Sequence, residues 1–474
     1  MPETEDIALR ESRLSDVGDQ SPHDPEQDAI NLDHDDSRQG ESSRKRACVL
    51  VGSAILQLPI WGRSIPLTLF PGFAMSYGVF QEYYTTHHPL HGSPSLTGII
   101  GTTSNGVMYL SMPLLFYLFT KRLARYRQTA ALAGALLTSL SFLLSPFSTT
   151  VWHLVATQGV LAALGCALIY SPTTLSLGEW YTIKNRAVAY GVVFSAKNIV
   201  GSACPFLFRG LLDHFGFRTT LRIWTAIAAA TSILAIFLVP THPSVVVSRT
   251  HHARKMPWTF LRHQTFYIYA VAIVLQSCGY GIPQTYLNEY AHDVTLLSQT
   301  SATLLLTLFN APGIISSSFF GYLSDKKRFS LSATTVTAIS AGSSALSAFL
   351  FWGLTSQGSL ALLVLFSITF GFFAGGYSAT WGGILNELER EAAQSNEAID
   401  SGMIYGLLNG ARGIGYVSGG LAGLPLLKAG AKSAIGNFGY GTTYGPLIIF
   451  TGLSSVFGGW GVLWKLKRVL RLVG

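Results

Sequence analysis

Two cations lie where a membrane-spanning helix is usually most apolar. Lys197 is in the middle of the apolar run 187–208, and Arg412 is near the middle of the run 400–427. A charge at such a depth is costly unless it faces a polar interior. Because no Asp or Glu occurs in the middle of any such run, the two cations predict a centre that binds a carboxylate or another anion. The alternative is that both are structural charges bonded to backbone carbonyls.

Polar and aromatic residues of the neighbouring runs are candidates for the wall of that centre. Such groups can orient an organic substrate, but each can equally join two helices. Gln81, Gln276 and Trp381 belong to the wider group of candidates. We expect eight residues to bind the substrate, namely Lys197, Arg412, Asn198, Tyr77, Tyr170, Tyr280, Asn310 and Asn409.

For these residues to lie in the interior of a membrane protein, the apolar runs must form a bundle of membrane helices. The chain has 474 residues, of which 49% are hydrophobic and 12% are charged, whereas about a quarter of the residues of a soluble domain are charged. We therefore predict an all-α membrane protein with twelve transmembrane helices in two six-helix halves. Its spans, each long enough to cross a bilayer about 30 Å thick, are 64–84, 96–119, 128–147, 152–176, 187–208, 222–240, 266–287, 299–323, 331–353, 359–385, 400–427 and 444–463.

The distribution of charge predicts the orientation of these spans. Lys and Arg number 21 in the loops predicted on one side and five on the other, and an excess of this kind marks the cytoplasmic face. We expect both termini in the cytoplasm and the plasma membrane as the location. The predicted parts are a disordered acidic tail (1–47), a first half (48–240), a cytoplasmic linker (241–265), a second half (266–464) and the C-terminus (465–474).

The segment before the first span does not fit this scheme well. Residues 49–62 are apolar but too few for a separate span, and the mostly apolar stretch from Cys48 to Tyr84 is interrupted by Pro59, Arg63, Pro66 and Pro71. We expect an interfacial or extended segment here. The alternative is that residues 63–72 are an insertion that splits one helix, formed by QLPIWG joined to FAMSYGVFQEYY.

The turn after the eighth span carries a recognisable motif. Its sequence, GYLSDKKR at 321–328, resembles the signature turn of the major facilitator superfamily. A glycine there lets two helices approach closely, and an aspartate can accept hydrogen bonds from a neighbouring helix N-terminus. The resemblance implies a gating role for Gly321, Asp325, Lys326 and Arg328.

Several further motifs resemble the monocarboxylate porter family, especially its fungal branch. They are WYTIKNRAVAYG at 180–191, SYGVFQEYY at 76–84, the NA at 310–311 and NGARGIG at 409–415. Mammalian members resemble one another in a lysine on span one and an aspartate and an arginine on span eight, which serve proton-linked transport. This chain has no lysine in 64–84 and reads NAPGIISSS on span eight, so the resemblance does not extend to those charges.

The sequence lacks the motifs that mark other functional classes. The sequence contains no phosphate-binding GxxxxGK[ST] loop, no HExxH pair and no metal-ligand spacing among its four cysteines. We predict no enzyme activity, no cofactor, no metal, no disulfide and no nucleic-acid partner. The expected partners are the lipid bilayer, a small-molecule substrate and, as a candidate co-substrate, a proton. We expect a monomer, although no motif sets the oligomeric state.

These patterns favour one function and leave two alternatives open. The favoured function is gradient-driven transport of a small organic anion, in first place a monocarboxylate, by alternating access between two halves. An alternative is efflux of a larger secondary metabolite or toxin, since many of the candidate wall residues are aromatic. A transport-inactive nutrient sensor is the alternative from another class. The sequence sets neither the substrate nor the direction of transport.

Overall fold

The computed structural model describes residues 43–62, 98–181, 185–240, 258–325, 331–397, 399–433, 436 and 438–465. Within these ranges the chain forms helices and turns and no β-strand, as the sequence predicts. Tyr77, Lys326, Arg328 and the predicted span 64–84 lie outside the described residues, as do 1–42 of the tail and 241–257 of the linker. Of Asp325 only the backbone is described.

Twelve helical segments are present in the described residues and are numbered in chain order. The first, α1, covers 43–62 and ends in a π-helical turn, Leu58–Gly62. The others are α2 (Gly98–Thr120), α3 (Arg127–Leu144), α4 (Val151–Trp180), α5 (186–215), α6 (217–238), α7 (Gln264–Asp293), α8 (Gln299–Asp325), α9 (Ala333–Trp352), α10 (Leu360–Gln394), α11 (Ser401–Ser433) and α12 (Gly445–Gly458).

A single glycine separates α5 from α6. Gly216 has φ 68° and ψ 174°, which is a backbone conformation that side chains other than hydrogen rarely permit. The chain therefore reverses between two long helices with almost no loop. We expect any other residue at this position to strain the turn.

Residues 49–62, before the first predicted span, form a packed helix, so the expectation of an extended chain is wrong for them. Leu56 and Ile60 are 0% and 3% exposed, and the Cys166 thiol of α4 lies 3.9 Å from the Ile60 carbonyl oxygen. Gly52 packs against Ala235 near the end of α6. Residues 43–47, predicted as the end of a disordered tail, are also helical. Whether residues 63–72 are an insertion stays a prediction, because they lie outside the described residues.

Segments α2 to α12 coincide with predicted spans two to twelve. Eight helices in the described part are long and apolar enough to cross a membrane by length and composition. Of α2 to α12, three fall outside these eight, namely α2, α5 and α11, which carry Thr, Ser and Asn together with Lys197 and Arg412. Large apolar side chains such as Leu136, Ile315 and Leu421 point outward and are about 70% exposed. That arrangement is typical of helices that face lipid.

Each of the less apolar helices α2, α5 and α11 lies along a partner helix. Helix α2 lies along α11, and α5 lies along α8. The three glycines that the sequence spaces four apart on α11, Gly415, Gly419 and Gly423, all face α7, against Ser277, Cys278 and Tyr286. Small residues at such spacing allow close helix contact. The polar side chains of α2, α5, α8 and α11 are thereby turned toward the interior of the bundle.

Candidate functional site

Arg412 lies at the centre of the candidate site. It is 4% exposed on α11, donates from Nη1 to the Ser378 hydroxyl and lies 3.4 Å from the hydroxyl of Tyr416, one turn along the same helix. Among the described residues no carboxylate is within ion-pair distance of its guanidinium. A buried guanidinium whose partners are neutral retains a strong demand for an anion.

Four aromatic rings surround the Arg412 guanidinium. Its Cζ is 5.2 Å from the ring centroid of Tyr109, 5.4 Å from Tyr280, 5.5 Å from Tyr416 and 5.6 Å from Trp381. Each ring at such a distance attracts the cation, by about 0.5–2 kcal/mol depending on desolvation. The rings come from α2, α7, α10 and α11, so the arginine joins helices from both ends of the sequence. We call this group the Arg412 cage.

An irregular turn in α10 positions two members of the site. The α-helix Leu360–Gly376 changes to a 3₁₀-helix at Tyr377–Thr380 and resumes at Trp381. In a 3₁₀-helix, side chains three residues apart are eclipsed, which brings Ser378 and Trp381 to the same face. Both reach Arg412. The turn is flanked by paired glycines, and these leave room for neighbouring helices against it.

Lys197 faces the same region from α5. It is 6% exposed and is close enough to Arg412 for the two charges to interact. The two cations that the sequence singled out therefore lie in one part of the interior, although 215 positions separate them in the chain. An anion bound in this region would therefore be near both side chains.

The remaining candidates divide into two groups. Tyr280 belongs to the Arg412 cage, and Tyr170 lies close enough to Tyr109 and Arg412 to interact electrostatically. The three asparagines are buried with protein partners, because Asn310 donates to the Leu306 carbonyl (2.9 Å), Asn409 to the Tyr405 carbonyl (2.8 Å) and Asn198 to the Ser317 hydroxyl (3.0 Å). A substrate-binding role for the asparagines stays a prediction.

A cavity of about 260 Å³ opens at the end of the bundle that carries the predicted cytoplasmic loops. It is separated from the Arg412 cage by a stack of rings, in which Tyr190 of α5 lies on Tyr405 of α11 with centroids 4.9 Å apart. Tyr405 in turn contacts Trp381 at 5.9 Å. We call the cavity of about 260 Å³ the inner cavity. Its lining includes Phe116, Leu175, Glu179, Arg186, Tyr190 and Asp400.

A second pocket reaches the cage from the opposite end. Its wall includes Tyr416, whose ring contacts Arg412, and the neutral polar residues Asn105, Gln284 and Thr285. We call this the outer pocket. The Arg412 cage therefore lies between two openings, each closed from it by aromatic side chains.

Two ion pairs lie near the inner cavity, and neither joins residues that are close along the chain. Proximity along the chain favours Lys184 or Arg186 as the partner of Glu179, but both of its carboxylate oxygens accept hydrogen bonds from Arg127, at 2.7 and 2.8 Å. Arg186 instead lies 2.5 Å from Glu389 of α10. The reason is spatial, since α3 begins beside the end of α4 whereas α5 begins beside α10. Lys184 lies outside the described residues.

The signature turn makes one contact that its glycine explains. A Cβ at Gly321 would lie 2.6 Å from the Ala187 carbonyl oxygen on α5, so only glycine permits this approach of α8 to α5. The predicted gating roles of Gly321 and Asp325 stay predictions. In the described part of the chain, no group of three or more His, Cys, Asp or Glu side chains could hold a metal ion.

Sequence inspection missed several members of the site. Tyr416 follows Arg412 by four residues, which is the spacing of neighbours on one helix face, so this residue could have been found. Tyr109, Ser378 and Tyr405 are neutral residues in ordinary apolar runs, and only the packing of α2, α10 and α11 brings them to the arginine.

The helices and the buried cationic centre define a multi-pass membrane protein with a polar site in its interior. A sequence model described as Major Facilitator Superfamily matches residues 60–420. The chain belongs to that superfamily and is a transporter rather than an enzyme.

Relatives of similar sequence are also named as transporters. An MFS-type transporter of Gibberella moniliformis is 29% identical over 310 residues, 64% of this chain and 70% of that protein. MFS-type transporter pynF of Aspergillus niger is 23% identical over 399 residues, 82% of each chain. Monocarboxylate transporter 13 of Rattus norvegicus is 27% identical over 388 residues, 77% of this chain and 81% of that protein.

Proposed function

We propose that this transporter carries a small organic anion, in first place a monocarboxylate, by alternating access. The observation that supports the proposal is Arg412, a buried arginine whose described partners are hydroxyls and rings and not carboxylates. A substrate carboxylate would supply the missing negative charge. Similarity to proteins named monocarboxylate transporters agrees with this substrate class.

The arrangement of the two openings supports transport through the cage. For a substrate to cross, the rings between the inner cavity and Arg412 must separate while those at the outer pocket stay closed, and then the reverse. Tyr190 and Tyr405 belong to different halves of the fold, so rocking of the halves would part their stack. The ion pair Arg186–Glu389 also crosses between the halves and would break in the same movement.

Coupling to a proton needs a group that can release one inside the membrane. No acidic residue lies in the middle of a predicted span, so Lys197 is the candidate carrier, because dehydration favours a neutral amine. The plasma membrane and cytoplasmic termini remain part of the proposal, and the positive charge of the predicted cytoplasmic loops supports that orientation.

Efflux of a larger amphipathic metabolite is the second candidate function. The rings of the Arg412 cage, with Tyr190, Tyr405 and Phe116 beyond it, favour a substrate with an apolar or aromatic body. Such a substrate could still carry an anionic group, so the two candidates differ in the size of the substrate and the direction of transport.

The test compares purified protein variants in proteoliposomes. Arg412→Gln and Lys197→Gln should each lower uptake of radiolabelled benzoate at least about 10-fold, because a hydrogen bond to a charged group contributes about 1.5–3 kcal/mol. Arg412→Lys should restore only part of the rate, since a lysine lacks the planar fork. Neutral benzamide serves as the uncharged comparison.

Arg222→Gln is the control, because Arg222 is an exposed arginine of α6 and its removal should leave uptake unchanged. Wild-type rates in both Gln variants would show that the cations are structural. That result would favour efflux of a neutral metabolite.

A further inference from the structure

Two buried N–H donors in the Arg412 cage have no acceptor in the part of the chain that the structure describes. They are Nε of Arg412 and Nε1 of Trp381. The two side chains are in contact, with the Arg412 Cζ 5.6 Å from the indole centroid. Both residues are almost fully buried, at 4% and 1% exposure, so bulk water does not reach either donor.

An unpaired buried donor is unfavourable, since it has given up its hydrogen bonds to water without replacing them. Other tryptophans of the fold share this feature, because Trp352 and Trp224 also lack an acceptor for Nε1 among the described residues. Those two pack against rings such as Phe366 and Phe208. Trp381 differs from them because its ring lies beside a cation, and a cation with neutral partners attracts an anion to that place.

The backbone of α10 also favours this arrangement of Trp381 and Arg412. The 3₁₀ turn at Tyr377–Thr380 interrupts an otherwise regular α10, and such interruptions often mark functional sites. Its effect is to bring Ser378 onto Nη1 of Arg412 and Trp381 onto the face of the same guanidinium. Nη1 and Nη2 each donate one hydrogen bond to a hydroxyl, of Ser378 and Tyr416, whereas Nε has no partner among the described residues.

We infer that the substrate carboxylate binds between Nε of Arg412 and Nε1 of Trp381, accepting one hydrogen bond from each. The inference rests on the proposed function and adds the second donor and the class of the acceptor. A planar carboxylate presents two acceptor oxygens in one plane, and the adjacent guanidinium charge of Arg412 favours its ionised form. A neutral carboxamide offers only one carbonyl oxygen and no charge.

The experiment measures binding of radiolabelled benzoate and of benzamide to the full-length protein in detergent, together with benzoate uptake in proteoliposomes. Trp381→Phe keeps an aromatic ring over the guanidinium and removes the N–H. Trp352→Phe is the matched control, since Trp352 is equally buried and also has an unpaired Nε1 among the described residues. In a second variant, benzothienylalanine at position 381 keeps the shape of the indole and replaces N–H by sulfur, so folding is preserved if Phe leaves a cavity.

We expect both variants at position 381 to bind benzoate about 10-fold to 100-fold more weakly, which is the effect of losing a hydrogen bond to a charged group. Their binding of benzamide should be unchanged. The Trp352→Phe variant should bind benzoate as the wild-type protein does. Wild-type benzoate affinity in the benzothienylalanine variant would overturn the inference, and so would an equal loss for benzoate and benzamide, which would indicate packing alone. Wild-type affinity in Arg412→Gln, or no carboxylate binding by the wild-type protein, would instead overturn the proposed function.

Discussion

The two seams that join the halves of the bundle differ in chemistry. Along the seam between α2 and α11, glycines of α11 lie against α2, with Gly406 at Phe116 and Gly410 at Pro113. Along the seam between α5 and α8, side chains form hydrogen bonds across the contact, as between Asn198 and Ser317. Both seams contain close glycine contacts, as where Gly321 of α8 meets Ala187 of α5, but the α5–α8 seam adds directional bonds. We call α2–α11 the shape-held seam and α5–α8 the hydrogen-bonded seam.

This difference bears on how the halves move. Contacts between glycine backbones and apolar side chains include no directional bond, so shifting such a surface leaves no polar group unpaired. A hydrogen bond fixes both distance and angle, and breaking it in a dry interior leaves unpaired groups. We therefore expect the α5–α8 seam to act as the pivot and the α2–α11 seam to shift when the transporter changes its access side.

The largest effect should come from filling the shape-held seam. A Cβ at Gly413 would lie 2.7 Å from the backbone nitrogen of Leu110, and a backbone atom cannot turn aside as a side chain can. Gly413→Ala should therefore lower the rate of benzoate uptake at least about 10-fold, or prevent folding. Overpacking of this kind costs about 1–3 kcal/mol or more.

The control for this variant is Gly342→Ala. Gly342 lies in α9, and no atom is within 4 Å of the position that a Cβ would take there, so alanine should be neutral or stabilise the helix by up to about 1 kcal/mol. Thermal stability in detergent separates misfolding from slow transport. Wild-type uptake and stability in Gly413→Ala would show that the α2–α11 seam is looser than its geometry indicates.

An intermediate effect should come from opening the ion pair at the end of the hydrogen-bonded seam. Arg186 begins α5, and Glu389 also accepts a hydrogen bond from Ser401 at the start of α11, so this pair ties three helices together across the halves. Arg186→Gln should favour the state that is open to the inner cavity. The coupling energy in a double-mutant cycle with Glu389→Gln should be about 0.5–3 kcal/mol.

The matched control is the pair Arg127–Glu179, which has similar geometry but joins α3 and α4 within one half. Arg127→Gln should lower thermal stability without changing access. Access is measured by the labelling rate of a cysteine introduced at Thr120, which lines the inner cavity. Equal labelling in Arg186→Gln and Arg127→Gln would show that the cross-half pair does not hold the inner end closed.

Much of the fold could be predicted from hydropathy and charge. Apolar runs predicted α2 to α12 because an unpaired backbone is prohibitive in lipid and helices satisfy it internally. The same reasoning placed Lys197, Arg412 and Tyr280 in the interior, and the structure brings these three together. A buried charge is a strong signal because few environments tolerate it.

The rest of the site depended on packing between distant parts of the chain. Tyr109 and Ser378 carry no local signal, and they meet Arg412 because α2 and the 3₁₀ turn of α10 lie beside α11. Glu179 shows the same dependence on packing, since Arg186 is nearer to it along the chain whereas its folded partner is Arg127. Asparagine positions were ambiguous because an amide can bond the carbonyl of the preceding helical turn, as in Asn310.

The smallest effect should come from removing one bond of the hydrogen-bonded seam. The Ser195 hydroxyl of α5 lies 2.5 Å from the Ile314 carbonyl oxygen and 2.9 Å from the Ser318 hydroxyl, both on α8. Bonds of this kind between membrane helices contribute about 0.6 kcal/mol on average and about 1.7 at most. Ser195→Ala should therefore slow benzoate uptake only a few-fold and lower thermal stability slightly.

Ser139→Ala is its control, because the Ser139 hydroxyl donates only within its own helix, to the Ala135 carbonyl at 2.8 Å. If α5–α8 is the pivot, Ser195→Ala should loosen it and change the balance between the two access states, measured by cysteine labelling at Thr120, while Ser139→Ala leaves that balance unchanged. A change in stability without any change in access would mean that this hydrogen bond holds the helices together but does not guide their motion. The pivot would then have to be sought in the close backbone contact of Gly321 with Ala187, where the two helices approach through glycine as they do in the other seam.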